Sequence, residues 1–182
     1  KEGETLGRSA FENCAGITKV TLPAGVTEIP DKAFSGCTAL TEINVPDGVT
    51  YIGDFAFKDC VSLKKINIPE GMSYLGDSAF AGCTSLTEVV IPDIKSIGMQ
   101  TFSGCTALTA ATVKCKSVMS DMFNGCANLK TVILSEGVTS IEETAFKGCV
   151  ALTEITLPSS VTKVSAGAFN GCTITVTVPY KS

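Results

Sequence analysis

Apolar and polar side chains alternate through Ile43-Asn44-Val45 and stop at Pro46, and after Asp47-Gly48 a second apolar pair, Val49 and Ile52, leads to Ala56-Phe57 and Cys60. Alternation with a period of two marks a half-buried strand, and proline at its exit sits where a missing N–H does least harm to a ladder. The Val49-x-x-Ile52 segment then predicts a short return strand across the opposite face. Asp54-Phe55-Ala56-Phe57 predicts one turn of helix with Asp54 as its N-cap, and Asp31 and Asp77 occupy the same place in the units before and after.

This order recurs, and phenylalanine marks its period. Phe11, Phe34, Phe57, Phe80, Phe102, Phe123, Phe146 and Phe169 are spaced by 23, 23, 23, 22, 21, 23 and 23 residues, each with a cysteine three positions later. No such unit buries its own apolar face, so neighbours must stack and share a core. The expectation is a single solenoid over residues 1–182, an α/β fold of about eight coils of 21–23 residues with a right-handed path. One face carries a parallel sheet, and short return strands and one-turn helices lie elsewhere. At ~4.8 Å between strands the stack should run roughly 38 Å. Residues 172–182 alternate strictly after losing two residues, and are expected to form a shortened C-terminal cap.

Two units are short, and both losses fall between the strand and the return segment. Val45 to Val49 is four positions, Ile91 to Ile94 three, and Val113 to Cys115 two. Length variation confined to one place marks a surface turn. The same alignment puts Cys115 in the slot of Val49 and Met72, as a small core residue.

Composition narrows the chemistry. The chain has 18% charged residues, a net charge of −4 and no histidine. An acidic balance argues against nucleic acid, and every apolar run is too short to insert in a membrane. Without histidine there is no Ser-His-Asp or Cys-His machinery, so no enzyme activity, catalytic residue or cofactor is expected. None of the nine cysteines forms C-x-x-C, and one per coil in a column does not surround a metal ion. They are expected to be free core thiols. Glu142-Glu143 is expected to be a solvated first turn of helix rather than an acid–base pair. The start at Lys1-Glu2-Gly3-Glu4, without methionine or an apolar signal stretch, predicts that the natural N-terminus and any export signal lie upstream.

The outward strand positions remain free to recognise a partner. One row reads Lys19, Glu42, Lys65, Glu88, Ala110, Thr131, Glu154, and the other Thr21, Asn44, Asn67, Val90, Thr112, Ile133, Thr156. Charges alternate over the first four coils and can pair with one another. From the fourth to the sixth coil the charge disappears, and Val90, Ala110, Thr112, Thr131 and Ile133 form an uncharged, partly apolar face. The same coils have both short turns, replace the exit proline with Lys114 and Ser135, and carry Lys95, Lys114 and Lys116. Those eight residues are the candidate ligand contacts. The competing explanation is drift among repeats, since β-branched residues favour strands for their own sake.

The recurring A-F-x-x-C-x-x-L-x-x-I-x-L-P-x-x-V-x-x-I unit resembles the BspA-type leucine-rich repeats of bacterial surface proteins. The resemblance covers nearly the whole chain and brings no catalytic residues with it. It implies a non-enzymatic module of the cell surface or exterior, an adhesin segment that binds a protein or glycan of a host or neighbouring cell. A rigid spacer within a larger surface protein and a cytosolic interaction scaffold are the alternatives, the last favoured by reduced cysteines.

Overall fold

The structure, a computed structural model, describes residues 5–179. The opening residues 1–4 and the last three of the expected cap, 180–182, lie outside the described residues. In chain order its strands are β1 (Lys19–Thr21), β2 (Glu28–Ile29), β3 (Glu42–Asn44), β4 (Tyr51–Ile52), β5 (Tyr74–Leu75), β6 (Glu88–Ile91) and β7 (Ser96–Ile97). They continue as β8 (Ala110–Val113), β9 (Ser117–Val118), β10 (Thr131–Leu134), β11 (Ser140–Ile141), β12 (Glu154–Thr156), β13 (Lys163–Val164) and β14 (Thr175–Thr177). Every pairing is parallel and joins neighbouring coils. The chain is therefore a parallel-strand β-solenoid with about seven turns.

The eight repeat phenylalanines stack through its centre in seven near-parallel steps, with ring centroids 5.2 to 5.9 Å apart. Six of the rings are fully buried. The widest step, 5.9 Å between Phe102 and Phe123, belongs to the 21-residue unit.

The nine cysteines are free thiols, and all but Cys14 and Cys172 are buried. In the column after the phenylalanines each thiol from Cys37 to Cys172 donates to the phenylalanine carbonyl of the coil before. Cys60 Sγ reaches Phe34 O at 3.1 Å, where Cys37 N–H also donates at 3.1 Å. Both lone pairs of that carbonyl are satisfied, which a purely apolar side chain would not do. Burial pushes the Cys60 and Cys105 thiols up to about 12 and Cys115 to about 11. They are protonated and unreactive near neutral pH.

The expected one-turn helices are absent among the described residues. Around Phe34 alternate N–H groups take different partners: Ser35 and Cys37 donate back to Lys32 O and Phe34 O, three residues earlier, at 3.1 Å each. Phe34 and Gly36 donate instead to Ala56 O and Lys58 O of the next coil, at 2.8 Å each. A helix would turn every N–H onto its own carbonyl four residues back. The stack instead needs half of them for its neighbour, and linked turns supply that. The arrangement forces left-handed backbone two residues before each phenylalanine, as at Lys32 (φ 57°), Phe55 (φ 59°) and Thr144 (φ 57°). Left-handed geometry costs roughly 1–2 kcal/mol for a residue with a Cβ, and the inter-coil bonds offset it.

The aspartates consequently do not cap helices. Asp31 Oδ1 accepts Asp54 N–H at 3.1 Å, Asp54 Oδ1 accepts Asp77 N–H at 2.9 Å, and Asp77 Oδ1 accepts Met99 N–H at 2.7 Å. Each carboxylate ties its own coil to the next. Tyr74 Oη also donates to Asp54 Oδ1 at 2.7 Å, and its ring stacks on Tyr51 at 5.0 Å. Glu142-Glu143 is likewise not a helical turn, since Thr144 is left-handed and Glu142 binds the next coil through Lys163 at 2.8 Å and Ser165 at 3.2 Å.

Candidate functional site

Strand β8 lies between β6 and β10, and this three-stranded sheet carries the candidate contact face. Register aligns Val90 with Thr112 and Thr112 with Ile133, and aligns Glu88, Ala110 and Thr131 in the row beside them. Pleating turns Val89, Ile91, Ala111 and Val113 into the core and leaves Val90 and Ile133 52% and 56% exposed. Thr131 is exposed as well, with Ala110 and Thr112 half-buried between the outer strands. Five of the eight expected contacts thus share one face, with β-branched apolar side chains at its two edges.

The front sheet is interrupted on both sides of this piece. It divides into β1–β3, β6–β8–β10 and β12–β14: Lys65-Ile66-Asn67, the front segment of the third coil, pairs with neither neighbour, and β10 does not pair with β12. The expected charge pairing follows the same division. Lys19 meets Glu42 at 2.9 Å and Lys65 meets Glu88 at 3.5 Å, while no Glu42–Lys65 ion pair forms among the described residues. A depression of about 820 Å³ opens between Lys65–Glu70 and β6, with Val90 in its wall. Another of about 460 Å³ lies between β10 and β12, lined by Ile133, Leu134, Glu136, Glu154 and Pro158 among others. Each outer edge of this face, on which Glu88 is the charged residue, therefore borders a recess.

The three lysines are not one basic spot. Lys114 reaches past the shortened Pro92-Asp93 turn to Glu70, two coils away, and forms a 3.0 Å ion pair. Sequence reasoning missed Glu70 because the contact spans 44 positions. Lys95 and Lys116 lie beyond the turns, beside the return strands, and line a depression of about 560 Å³ with Asp93, Ile94, Ser96, Ile97, Ser117 and Met119. This depression also marks a sheet break, since the return strands form β2–β4–β5–β7 and β9–β11–β13 with no pairing between β7 and β9. A signal was legible: elsewhere the column holding both lysines reads Thr27, Thr50, Ser73, Thr139 and Thr162.

No group of metal-ligating side chains occurs among the described residues. No helix of the described residues is long and apolar enough to cross a membrane. The lysine bond holds the Glu142 carboxyl below the usual carboxylate range, so it stays ionised rather than shuttling protons.

A family model described as the BspA type leucine rich repeat region matches residues 4–117 and 116–181. A solved leucine rich cell surface protein from Faecalibacterium prausnitzii is 34% identical with a TM-score of 0.79, over 89% of this chain and 48% of that one. A leucine rich repeat protein from T. pallidum is 33% identical with a TM-score of 0.71, over 81% of this chain and 71% of that one. One from Eubacterium ventriosum is 26% identical with a TM-score of 0.58, over 91% and 45%. The chain thus spans about half the length of the F. prausnitzii protein. No curated protein matches.

Proposed function

Because the chain belongs to the BspA-type leucine-rich repeat family, whose solenoids generally serve as non-catalytic binding scaffolds, we propose that it is a recognition module displayed at the cell surface. It engages a protein or glycan of a host or neighbouring cell through the β6–β8–β10 face. The observation that carries this reading is the pairing of Val90 and Ile133, both more than half exposed, across three strands in register beside two recesses. A solenoid gains nothing in its own core from apolar side chains there, whereas a partner that covers them gains on the order of 1.5–3 kcal/mol for each one fully buried. Surface display is supported by the description of the F. prausnitzii relative as a cell surface protein.

The test is a panel of host matrix proteins and glycans offered to the wild-type chain and to a Val90→Lys/Ile133→Lys variant. Selective capture by wild type, lost in the variant at an unchanged melting temperature, is expected. Equal capture by both removes the sheet face from the reading. No capture by either chain favours a rigid spacer, a role that the unbroken phenylalanine stack would also suit.

A further inference from the structure

We propose that the gap between β7 and β9 is a second, separate binding site, for an acidic saccharide carrying a carboxylate or a sulfate ester. The inference deepens the recognition reading by giving Lys95 and Lys116 a ligand class, and it leaves the sheet face out of account.

The return strands are joined by a regular ladder. Gly53 N–H donates to Ile29 O, Gly76 N–H to Ile52 O and Gly98 N–H to Leu75 O, each at 2.8 Å, and after the gap Glu142 N–H donates to Val118 O at 2.8 Å. Among the described coils this bond is missing from Met119 N–H to Ile97 O, and at the first step, where Pro30 stands in the donor's place and has no N–H. The bond one place earlier, which Tyr74, Ser96, Ser140 and Lys163 N–H make to Thr50, Ser73, Lys116 and Thr139 O, is made neither by Ser117 N–H to Lys95 O nor by Tyr51 N–H to Thr27 O. Two main-chain donors and two main-chain acceptors therefore face a depression of about 560 Å³ with no partner in the adjoining coil. Peptide groups so placed require partners from outside the ladder.

The side chains around them suit a sugar with a negative charge. Lys95 and Lys116 enter a Thr/Ser column only in the two coils that flank the gap, and neither makes an ion pair among the described residues. Ser96 supplies a hydroxyl, and Ser117 Oγ, which accepts Ser140 Oγ–H at 2.9 Å, keeps its own proton to donate. Asp93 on the rim is one carboxylate against two ammonium groups and can accept from sugar hydroxyls. No aromatic ring lines the depression itself, and the nearest in register is Tyr74, one coil before Ser96. Tyr74 is covered on one side by Tyr51, while in the next coil its register partner is the small Ser96. An acidic peptide would use the lysines, and its own N–H and C=O groups match an open ladder, but a strand set between β7 and β9 needs ~4.8 Å on each side, and the two coils stand only 5.9 Å apart at Phe102 and Phe123, which favours the saccharide.

The test uses the whole chain with trigalacturonate and a sulfated chondroitin disaccharide as probes, maltotriose as the neutral control and hexaglutamate as the peptide control. Binding is followed by amide chemical shifts and titration calorimetry. The expected result is shifts centred on Ser96, Ser117 and Met119 with one or both acidic saccharides, weakened by salt. Affinity should drop at least ~10-fold in Lys95→Gln/Lys116→Gln, while Lys19→Gln/Lys147→Gln, which removes two charges away from the gap, leaves it within ~2-fold. Three outcomes overturn the proposal: no shifts with either acidic saccharide, equal affinity in the lysine double variant, or hexaglutamate binding as tightly as the saccharides. Melting curves of each variant establish that the fold is intact, and the single variants are read if the double variant does not fold.

Discussion

Replacing Gly76 with alanine should destabilise the solenoid far more than a one-carbon addition near a surface normally does. Gly76 does not have a left-handed backbone, so alanine suffers no conformational penalty of its own there. Such a change by itself stabilises proteins by ~0.4–1 kcal/mol. The obstacle is the preceding coil. An added Cβ would stand 2.5 Å from Asp54 N, 2.5 Å from Gly53 C and 2.6 Å from Asp54 Oδ1. Two of those atoms are backbone, so relief requires the coils to separate or slide. Separation strains the 2.8 Å Gly76 N–H to Ile52 O bond, and it displaces the carboxylate that holds Asp77 N–H at 2.9 Å and Tyr74 Oη–H at 2.7 Å. Loss of one hydrogen bond to a charged group costs ~1.5–3 kcal/mol and overpacking strain ~1–3 kcal/mol. Less the ~0.4–1 kcal/mol gain, the net cost is about 2–5 kcal/mol, or a melting temperature lowered by about 4–20 °C in a chain of this size. Scanning calorimetry and urea denaturation measure it, with Gly25→Ala as the control, since a Cβ there meets nothing within 4 Å. Adding Asp54→Ala should restore only part of the loss, because the main-chain contacts remain. A Gly76→Ala protein within ~1 kcal/mol of wild type would refute the idea that the carboxylate and the missing Cβ are fitted to each other.

Phe80→Ala should cost ~3–5 kcal/mol, because the ring is stacked on both sides at 5.2 and 5.3 Å. Phe11→Ala should cost about half as much, since its ring is stacked on one side only and is 37% exposed; equal melting shifts for the two would contradict the shared-core account. A thiol reagent in denaturant should titrate close to nine cysteines and in the native protein react mainly with Cys14 and Cys172; three or fewer in denaturant would reveal disulfides. Thiol burial also predicts a pH dependence, because folding raises these groups above their unfolded value near 8.5. Their contribution to stability is complete below ~8.5 and is lost as pH climbs toward the folded values of about 11 to 12. Melting temperature should hold from pH 6 to 8 and fall between pH 9 and 10.5; a flat profile would show that the thiols do not resist ionisation.

The period, the inward and outward rows and the place of the short turns are all properties of one coil repeated, and so they could be read from the sequence. Alternation at Ile43-Asn44-Val45 reports which side of a strand faces the core, and the phenylalanine spacing reports which residues stack. The placing of Val90, Ala110, Thr112, Thr131 and Ile133 on one face was legible for the same reason, because register follows from the repeat. What only the tertiary structure decided lies between coils. The phenylalanine segment looks helical within itself and becomes linked turns because its alternate N–H groups are needed by the next coil. Asp54 looks like a cap and instead grips Asp77 N–H, which in turn explains Gly76 and, after Met99 ends the run of aspartates, the tolerated Met119. Lys114 is drawn to Glu70 across two coils, and Lys95 and Lys116 are left beside an open ladder. Such outcomes depend on small differences in path between adjacent coils, and a pattern that recurs within each coil carries no record of those differences.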